Sequence, residues 1–510
     1  MENTTTASLD PGDWESFRQQ AHRMLDDMLD HTRDIRAQPV WQDAPAPVRE
    51  VFHVPMPRQP TELAQVHESF MHNIRPYTVG NTHPGFMGWV HGGGTAVGML
   101  AEMLSAGLNA NLGGRKQIPV EVEWQVLRWV RTLFGFPETA SGLFVTGTSM
   151  ANMIAVLVAR THMLGTAVRA GGIANSGKQM VAYTSAGAHG CIANAMDFTG
   201  LGRNALRQIP MDADFRMDVH ALRRAIAADR AAGLTPFLIV GTAGSVDVGA
   251  VDKLMDIADV ASQEQLWFHV DGAYGALAML SPQIAPQLQG IERADSIAFD
   301  FHKWGQVPYD AGFIVVRDGA AHFDTFAAQA AYLKRESAGM AAGSPWPCDF
   351  GPDLSRSFRA LKTWFTIQVY GADQLGEIIA QTCMLARYLS ERIQALPALE
   401  LLAPVALNIV CFRYIGGAGE GEGMRSGDRT GAEPGASDHS DESTGHSYLN
   451  ALNSRIVIAV QESGLAAPSN TTIKGRLAIR AAIVNHRTTR ADIDKLIDAV
   501  IHFGQALAFA

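Results

Sequence analysis

Residues 266–274 read LWFHVDGAY, an apolar run that ends at an acidic residue, Asp271, and is followed by a glycine. A short run of apolar and aromatic residues bounded by a turn residue predicts a buried strand. A carboxylate at the end of such a strand is costly unless a cation or hydrogen-bond donors meet it. Asp271 is therefore a helix cap, one half of a structural ion pair, or a functional group at a strand end.

Similar strand-like runs recur on both sides of this segment, with amphipathic helical runs between several of them. The predicted strands are 143–146, 180–183, 237–242, 266–270, 296–299 and 312–316, and the predicted helices include 149–164, 219–232 and 251–263. This alternation indicates an α/β fold with a mainly parallel sheet between helices. In such sheets ligands bind beyond the carboxyl ends of the strands, so the residues at those ends are the candidates for function.

Three further strand ends carry residues that complement Asp271. The first predicted strand is followed by a glycine and then by Thr148 and Ser149 at a helix start, whose free N–H groups suit a phosphate, although many α/β turns look alike. Lys303 follows the fifth strand among aromatic residues, and an amine in apolar surroundings is a competent nucleophile. Together these groups are what pyridoxal 5′-phosphate (PLP) requires, and His189, after the second strand, could stack on its ring.

The composition of the 510-residue chain limits the function classes. Hydrophobic residues make up 47% and charged residues 18%, so the chain can bury a large core. Its formal net charge of −10 argues against a nucleic-acid partner, which would need a concentrated basic surface. The four scattered cysteines predict no metal or disulfide cluster and fit a reducing cytoplasm. No membrane association is expected, because the start lacks a signal-peptide pattern and the longest uncharged stretch near membrane length, 82–101, is rich in glycine.

The two ends of the chain predict additional units. Residues 1–80 form a helical arm with a proline-rich connector, and its short apolar strip must pack on another surface, such as a second subunit. Residues 81–385 form the large domain, and residues 386–510 form a small α/β domain. Within the small domain, residues 416–446 hold nine glycines and seven acidic residues and are predicted to be a flexible surface loop.

Six motifs are spread along nearly the whole chain. They are HPGFMG at 83–88, GTSMAN at 147–152, TAGS at 242–245, HVDGAYG at 269–275, HKW at 302–304 and RSFRALKTW at 356–364. Through them the chain resembles the group II PLP-dependent amino-acid decarboxylases, with the closest pattern in the aromatic-L-amino-acid decarboxylases. The resemblance implies PLP fold type I, the aspartate-aminotransferase-like fold, in a homodimer that the helical arms embrace and that has its active sites at the interface.

The resemblance also implies a role for each candidate residue at the cofactor. The cofactor-binding set would be Thr148, Ser149, His189, Thr242, Asp271, Ala273, His302 and Lys303. Lys303 would carry PLP as a Schiff base, and Asp271 would pair with the pyridine nitrogen. His189 and Ala273 would face the two sides of the ring, and His302 would help the helix start to hold the phosphate. Such a site would decarboxylate an L-amino acid through an external aldimine and a quinonoid.

The segment 331–334 resembles the mobile catalytic loop of the aromatic decarboxylases. This makes Tyr332 the expected donor of the proton that Cα takes up, and the alternative is a core tyrosine at the end of the preceding helix. The implied catalytic set is Lys303, His189, Asp271 and Tyr332. Because aldehyde-releasing relatives tend to carry an apolar aromatic residue here, the tyrosine favours release of an amine. A non-aromatic substrate, an aldehyde synthase, and another lyase or aminotransferase of the same fold stay open.

The substrate-binding candidates depart from the pattern of the aromatic decarboxylases. Trp89 and His91 fall where those enzymes place mainly aromatic residues, and Asn111 falls where they use an apolar residue of the neighbouring subunit. Trp89 favours an aromatic substrate in a wider and more polar pocket. Arg115 and Lys116 could meet an acidic side chain or point to solvent.

Two departures fall beside the cofactor residues. Cys191 stands where the family shows a serine, two residues after His189. Asp300 stands where some relatives use an asparagine near the phosphate, which leaves its role open.

Overall fold

The computed structural model describes residues 8–327, 335–416 and 439–508. The helices are α1 (Trp14–Arg33), α2 (Ala46–Glu50), α3 (Leu63–Ser69), α4 (Ala96–Leu108), α5 (Ile118–Phe134), α6 (Thr148–Leu164), α7 (Val168–Gly171), α8 (Cys191–Phe198), α9 (Val219–Ala231), α10 (Leu254–Glu264), α11 (Gly319–Phe326), α12 (Arg359–Gln394), α13 (His439–Glu462) and α14 (Arg490–Ala508). The strands are β1 (Phe86–Met87), β2 (Ser141–Val145), β3 (Met180–Ser185), β4 (Leu206–Ile209), β5 (Thr235–Thr242), β6 (Trp267–Asp271), β7 (Ser296–Asp300), β8 (Gly312–Val316), β9 (Leu399–Leu401), β10 (Ile409–Tyr414), β11 (Ala467–Ile473) and β12 (Arg476–Ala482). The six strand predictions are confirmed as β2, β3, β5, β6, β7 and β8, with small shifts at the ends.

Seven strands form the larger sheet, in the order β2-β8-β7-β6-β5-β3-β4. β8 runs antiparallel to both of its neighbours, and the remaining pairs are parallel. The prediction of a mainly parallel sheet is therefore confirmed with one exception. β7 returns to β8 through residues 301–311 without a crossover helix, and a parallel pair needs a longer crossover, so the return is antiparallel.

The central strands are apolar because both faces of this sheet are covered. Alternate residues of β5 belong to different core clusters, since successive side chains of a strand point to opposite faces. Ile239 packs in the same cluster as Val270 and Ile297. Its neighbour Leu238 packs in the other cluster, with Ala298 of β7 and with α6. The strand ends, where the polar candidates lie, are thus held on a rigid support.

Five strands form a second sheet, in the order β1-β11-β12-β10-β9. Most of it comes from the C-terminal part of the chain, but Phe86 of β1 pairs in parallel with Ala467 of β11. The expected division at residue 81 places β1 with the large domain, whereas its backbone belongs to the small sheet. The chain then leads from β1 into residues 88–95, directly toward the ends of the large-sheet strands. A two-residue strand carries too little pattern to be found in sequence.

The N-terminal arm consists of α1, α2 and α3. The connector after α1, expected to be extended, contains the short helix α2, and prolines are tolerated in a first helical turn because their missing N–H has no partner there anyway. Gln20 of α1 contacts the ring of His67 of α3, with 3.1 Å between Nε2 and Nδ1. Arg36 pairs with Asp492 of α14 at 2.6 Å, which ties the arm to the small domain.

Two sequence predictions concern segments beyond these bounds. Tyr332 lies outside the described residues, and so does most of the 416–446 stretch, in which α13 begins at His439. Among the helices of the described part of the chain, none is both long and apolar enough to cross a membrane.

Candidate active site

A cavity of about 580 Å³ lies at the carboxyl ends of the parallel strands, between the large sheet and residues 89–91. Ten of the twelve candidate residues line it. They are Trp89, His91, Thr148, Ser149, His189, Thr242, Asp271, Ala273, His302 and Lys303. The rule that ligands bind at this edge of a parallel sheet thus located the candidates in one place.

Lys303 is placed by the turn that follows β7. Its Nζ lies 2.9 Å from Oδ2 of Asp300, whose other oxygen, Oδ1, accepts a hydrogen bond from the backbone N–H of Thr148 at 2.7 Å. Asp300 is buried, and its two oxygens join the lysine to the start of α6. A side chain at residue 92 would lie 2.5 Å from the carbonyl oxygen of Lys303, so Gly92 permits this close approach of the 88–95 segment.

His302 is a neutral side chain whose N–H lies near Asp300 without bonding to it. Burial lowers the pKa of His302 to about 4. Its Nδ1 accepts the backbone N–H of Ala311 at 2.9 Å, so in the neutral ring the hydrogen is on Nε2. That Nε2 lies 3.6 Å from Oδ2 of Asp300, and the ring of Tyr309 covers His302 with 4.3 Å between ring centres.

The cavity wall contains unpaired hydroxyl groups. Oγ1 of Thr148 and Oγ1 of Thr242 are buried and have no hydrogen-bond partner among the described residues. Buried hydroxyl groups without partners are costly, so their presence indicates a ligand that supplies the partners. Thr148 begins α6, where free backbone N–H groups favour an anion. Both hydroxyls and the helix start fit PLP, which carries a phosphate and a ring with polar substituents.

Asp271 ends β6 inside the cavity and is met by donors. Its Oδ1 accepts the backbone N–H of Ala273 at 3.2 Å, and its Oδ2 accepts Nδ2 of Asn152 at 3.2 Å. Sγ of Cys191 lies 3.8 Å from the same Oδ2. Burial raises the pKa of Asp271, while the charge of Lys303 and the N–H of Ala273 oppose that shift. Such a carboxylate can stabilise a positive charge placed in the cavity.

His189 and Ala273 lie on different strand ends of the cavity wall. Nδ1 of His189 accepts the backbone N–H of Cys191 at 3.2 Å, so in the neutral ring Nε2 carries the hydrogen.

The backbone of Thr242 is held by Asp252, whose Oδ2 accepts the Thr242 N–H at 2.8 Å. Burial raises the pKa of Asp252 to about 6.

Aromatic rings form the wall of the cavity opposite the strand ends. The rings of His91, Phe86 and Trp89 contact one another in a triangle, with 5.7 Å from the centre of His91 to each of the other two and 6.2 Å between Phe86 and Trp89. Tyr309 meets His91 edge to face at 5.9 Å. Trp89 has a left-handed backbone conformation with φ of 45° and is 55% exposed, so its indole is available to a ligand. Burial, and then the charge of Lys303, lower the pKa of His91.

Three of the sequence candidates do not line this cavity. Asn111 has a structural role in this subunit, because its Oδ1 accepts the backbone N–H groups of Gly113 and Arg356. Arg115 and Lys116 line a separate cleft of about 1010 Å³, where the Arg115 guanidinium lies 4.5 Å from the ring centre of Trp346. These two cations therefore do not line the Lys303 cavity of their own subunit, and the suggestion that they meet an acidic side chain of a substrate stays a prediction.

Several residues of the site were not singled out from the sequence. Arg480 lines the cavity and donates to the carbonyl oxygens of Val246 at 2.6 Å and Trp89 at 2.9 Å, which joins the small sheet to both walls. Asn152 could have been found, because it lies four residues after Thr148 and thus on the same helix face. His269, two residues before Asp271 on one strand face, offered a similar signal.

Comparison with known proteins agrees with this geometry. The family model described as the pyridoxal-dependent decarboxylase conserved domain matches residues 45–415. An aromatic-L-amino-acid decarboxylase of Bacillus atrophaeus is 30% identical over 94% of this chain and 93% of its own length. An L-2,4-diaminobutyrate decarboxylase of Rhizobium meliloti is 31% identical over 82% of this chain and 77% of its own length.

Solved structures share the fold. Mouse CSAD superimposes with a TM-score of 0.87 at 24% identity and covers 97% of this chain and 99% of its own. Oryza sativa TDC, solved with PLP and tryptamine, superimposes with a TM-score of 0.85 at 22% identity and covers 98% of this chain and 100% of its own. The expected fold type I is thereby confirmed.

Proposed function

The chain belongs to the family of pyridoxal-dependent decarboxylases and is a PLP-dependent amino-acid decarboxylase, and from that premise we propose that its substrate is an aromatic L-amino acid and its products are the amine and CO2. The observation that carries the substrate proposal is the pair of stacked rings of Trp89 and His91, which line one cavity with Lys303. Aromatic rings favour contacts with other rings beyond the area that they bury. The relative of similar length that is an aromatic-L-amino-acid decarboxylase supports the same substrate class.

The cofactor chemistry assigns a task to each residue of the cavity. When bound, PLP takes up the electrons that are released as the bond between Cα and the carboxyl group breaks. Lys303 holds PLP covalently, and Asp271 keeps a proton on the pyridine nitrogen. Thr148, Ser149 and His302 bind the phosphate with N–H and O–H donors.

The remaining residues orient and enclose the reactants. His189 and Ala273 confine the ring of PLP from its two sides, and Thr242 offers its free hydroxyl beside it. The Tyr332 hydroxyl delivers the proton that Cα takes up after CO2 has left. Asn111 reaches the substrate of the neighbouring subunit in this proposal, since it does not line the cavity of its own.

A second candidate substrate class follows from the polar rim of the cavity. Asp247 and Asn470 also line it, and Oδ1 of Asp247 accepts the hydroxyl of Thr471 at 2.5 Å. A carboxylate at the rim would attract an amino group at the end of a substrate side chain. The relative that acts on L-2,4-diaminobutyrate makes this the class to test beside the aromatic one.

The proposed assembly is a homodimer in the cytoplasm. Its support is the apolar surface of the arm and of α4, where Val54, Met56 and Leu108 are each more than 60% exposed. Surfaces of this kind on a single chain indicate contact with another protein. The scattered cysteines support the location.

A product assay separates these proposals. The PLP-loaded protein is incubated with L-Trp, L-Tyr, L-Phe, dihydroxyphenylalanine, L-Glu and L-2,4-diaminobutyrate, and CO2, amine and aldehyde are measured together. Stoichiometric CO2 and amine from the aromatic substrates is the expected result. Turnover confined to diaminobutyrate would favour the second class, and aldehyde as the main product would contradict the proposed product.

A further inference from the structure

A line of buried polar side chains runs behind the cavity to Asp271. The indole Nε1 of Trp267 lies 2.9 Å from Oγ of Ser296, and that hydroxyl lies 2.8 Å from Nδ1 of His269. Nε2 of His269 lies 2.8 Å from Oδ1 of Asn152. Nδ2 of Asn152 reaches Oδ2 of Asp271 at 3.2 Å. The line contains no exposed member, since Ser296, His269 and Asn152 are each 0% exposed.

The hydrogen-bonding capacities of the groups give this line a direction. The indole N–H can only donate, so the Ser296 oxygen accepts it and the serine hydrogen points to Nδ1 of His269. Burial lowers the pKa of His269 to about 3, so the ring is neutral and its one hydrogen is on Nε2. Nε2 therefore donates to the oxygen of Asn152, which turns the amide N–H toward the Asp271 carboxylate.

The reverse direction leaves groups unpaired. If Nδ1 of His269 carried the hydrogen, it would donate to the carbonyl oxygen of Ser296, which lies 3.1 Å away. The serine hydroxyl hydrogen would then lose its acceptor, and the amide of Asn152 would have to turn its oxygen toward an oxygen of Asp271. Two acceptors would face each other, which requires a protonated carboxyl group. The first direction gives each of these side chains a hydrogen-bond partner and leaves the carboxylate charged, and its one cost is that Nδ1 of His269, without a hydrogen, lies 3.1 Å from the carbonyl oxygen of Ser296.

We propose that Trp267, Ser296, His269 and Asn152 form a one-way hydrogen-bond relay that holds the Asp271 carboxylate ionised and oriented toward the pyridine nitrogen of PLP. This inference rests on the role proposed above for Asp271. The four are positioning residues, because they act through Asp271 and do not line the cavity. Hydrogen-bonded partners behind a ligand-binding group commonly tune that group in this way.

Cys191 contacts the end of the relay at Asp271. Its Sγ lies 3.2 Å from Nδ2 of Asn152 and 3.8 Å from Oδ2 of Asp271, so the thiol shares the oxygen at which the relay ends. A thiol is a weak donor, whereas a hydroxyl is a strong one. Cys191→Ser should therefore strengthen the set of donors on that oxygen. The charged or titratable groups that face Asp271 are otherwise Lys303 and His189.

The test breaks the relay at a distance from Asp271. Ser296→Ala removes the hydroxyl between Trp267 and His269 and allows the line to reverse. The matched control is Ser141→Ala, since Oγ of Ser141 also lies 2.8 Å from Nδ1 of a buried histidine, His322, in a pair that does not lead to the cavity. The dissociation constant of PLP, the ratio of the absorption bands of bound PLP and the melting temperature of the apoprotein are measured for each.

The expected result is specific to the relay. Ser296→Ala weakens PLP binding roughly tenfold, the scale seen when outer hydrogen-bond partners are removed at metal sites, and alters the band ratio, while Ser141→Ala changes neither. Adding Cys191→Ser to Ser296→Ala recovers part of the loss. Equal PLP affinity and spectra in the two serine variants, at whatever melting temperature, would overturn the relay. If Ser296→Ala does not fold, Cys191→Ser alone tests the relay. Tighter PLP binding by that variant is expected, and an unchanged dissociation constant of PLP would contradict the proposal.

Asp271→Asn separates this inference from the role on which it rests. If that variant binds PLP like the unaltered protein, the assignment of Asp271 fails and the relay fails with it. If Asp271→Asn is weakened while Ser296→Ala is not, the assignment of Asp271 stands and the relay alone is rejected.

Discussion

Lys303 and Asp300 form an ion pair at 2.9 Å, and the same carboxylate accepts the first backbone N–H of α6 at 2.7 Å. A negative charge thus occupies the helix start that suits the phosphate of PLP. A phosphate bound at this helix start would be repelled by the carboxylate, and the ion pair with Lys303 would offset only part of that repulsion. Asp300 therefore aligns Lys303 but weakens the binding of PLP.

Asp300→Asn should bind PLP more tightly. Removing one like charge beside the phosphate is expected to lower the dissociation constant roughly tenfold, or about 1.4 kcal/mol, which titration of the apoprotein measures. Asp295→Asn is the control, because Asp295 precedes the opposite end of the same strand. Weaker binding of PLP by Asp300→Asn would show that the carboxylate favours cofactor binding.

Lys303→Ala should abolish the absorption band of covalently bound PLP and all CO2 release. The amine is the group that attaches the cofactor, and no neighbouring side chain in the described part of the site offers another. Lys253→Ala, in a surface ion pair with Asp212, should keep both signals. Persistence of the band without the lysine would remove Lys303 from its role.

Tyr332→Phe should shift the products from amine toward aldehyde. The hydroxyl is the expected source of the proton for Cα. Without it, oxidation by dissolved O2 competes with protonation and converts the substrate, O2 and water into aldehyde, CO2, ammonia and H2O2. Amine, aldehyde and CO2 are quantified per turnover, with Tyr183→Phe as a control because Tyr183 bonds to Asp229 on another surface of the sheet. An unchanged amine yield would contradict the proton-donor role.

Trp89→Ala should raise KM for an aromatic substrate about tenfold with little effect on the melting temperature. Loss of a ring contact and of the area it covers is worth about 1 to 2 kcal/mol, and the side chain is already 55% exposed in the free protein. Phe198→Ala, at a ring that is 73% exposed and does not line the cavity, is the control. An unaltered KM would place the substrate ring elsewhere.

His322 should make the fold sensitive to acid. Burial lowers the pKa of His322 from 6.5 to about 3. Below pH 6.5 the unfolded chain therefore binds a proton at this histidine, whereas the folded chain binds it only below about pH 3. The free energy of unfolding decreases as the pH falls through that range. At pH 5 this histidine alone costs about 2 kcal/mol relative to pH 7.

His322→Phe tests this acid sensitivity. Denaturant unfolding of the apoprotein at pH 7 and pH 5 should show a loss of stability smaller by about 2 kcal/mol in this variant. His53→Gln, at a largely exposed histidine, should leave the difference unchanged. An equal loss in His322→Phe and the unaltered protein would mean that the buried ring takes up a proton while the chain is folded.

Patterns of a few adjacent residues were sufficient to predict much of this site. Asp271, Lys303 and Thr148 each follow an apolar strand, and a sheet of parallel strands brings such ends together by its geometry. Asn111, Arg115 and Lys116 show the limit of the same reasoning. Their loop is polar and short-range patterns do not specify where it lies, so only the folded chain shows that it is outside the Lys303 cavity.

The sequence by itself determined the α/β class, the strand ends that carry chemistry and the family, because each depends on local periodicity or on short motifs. Only the tertiary structure decided that β1 joins the small sheet, that β8 runs antiparallel, and that Trp267, Ser296, His269 and Asn152 align behind Asp271. These relations join residues 12 to 381 positions apart in the chain. They follow from packing and from the pairing of buried polar groups, which act between segments that no local pattern connects.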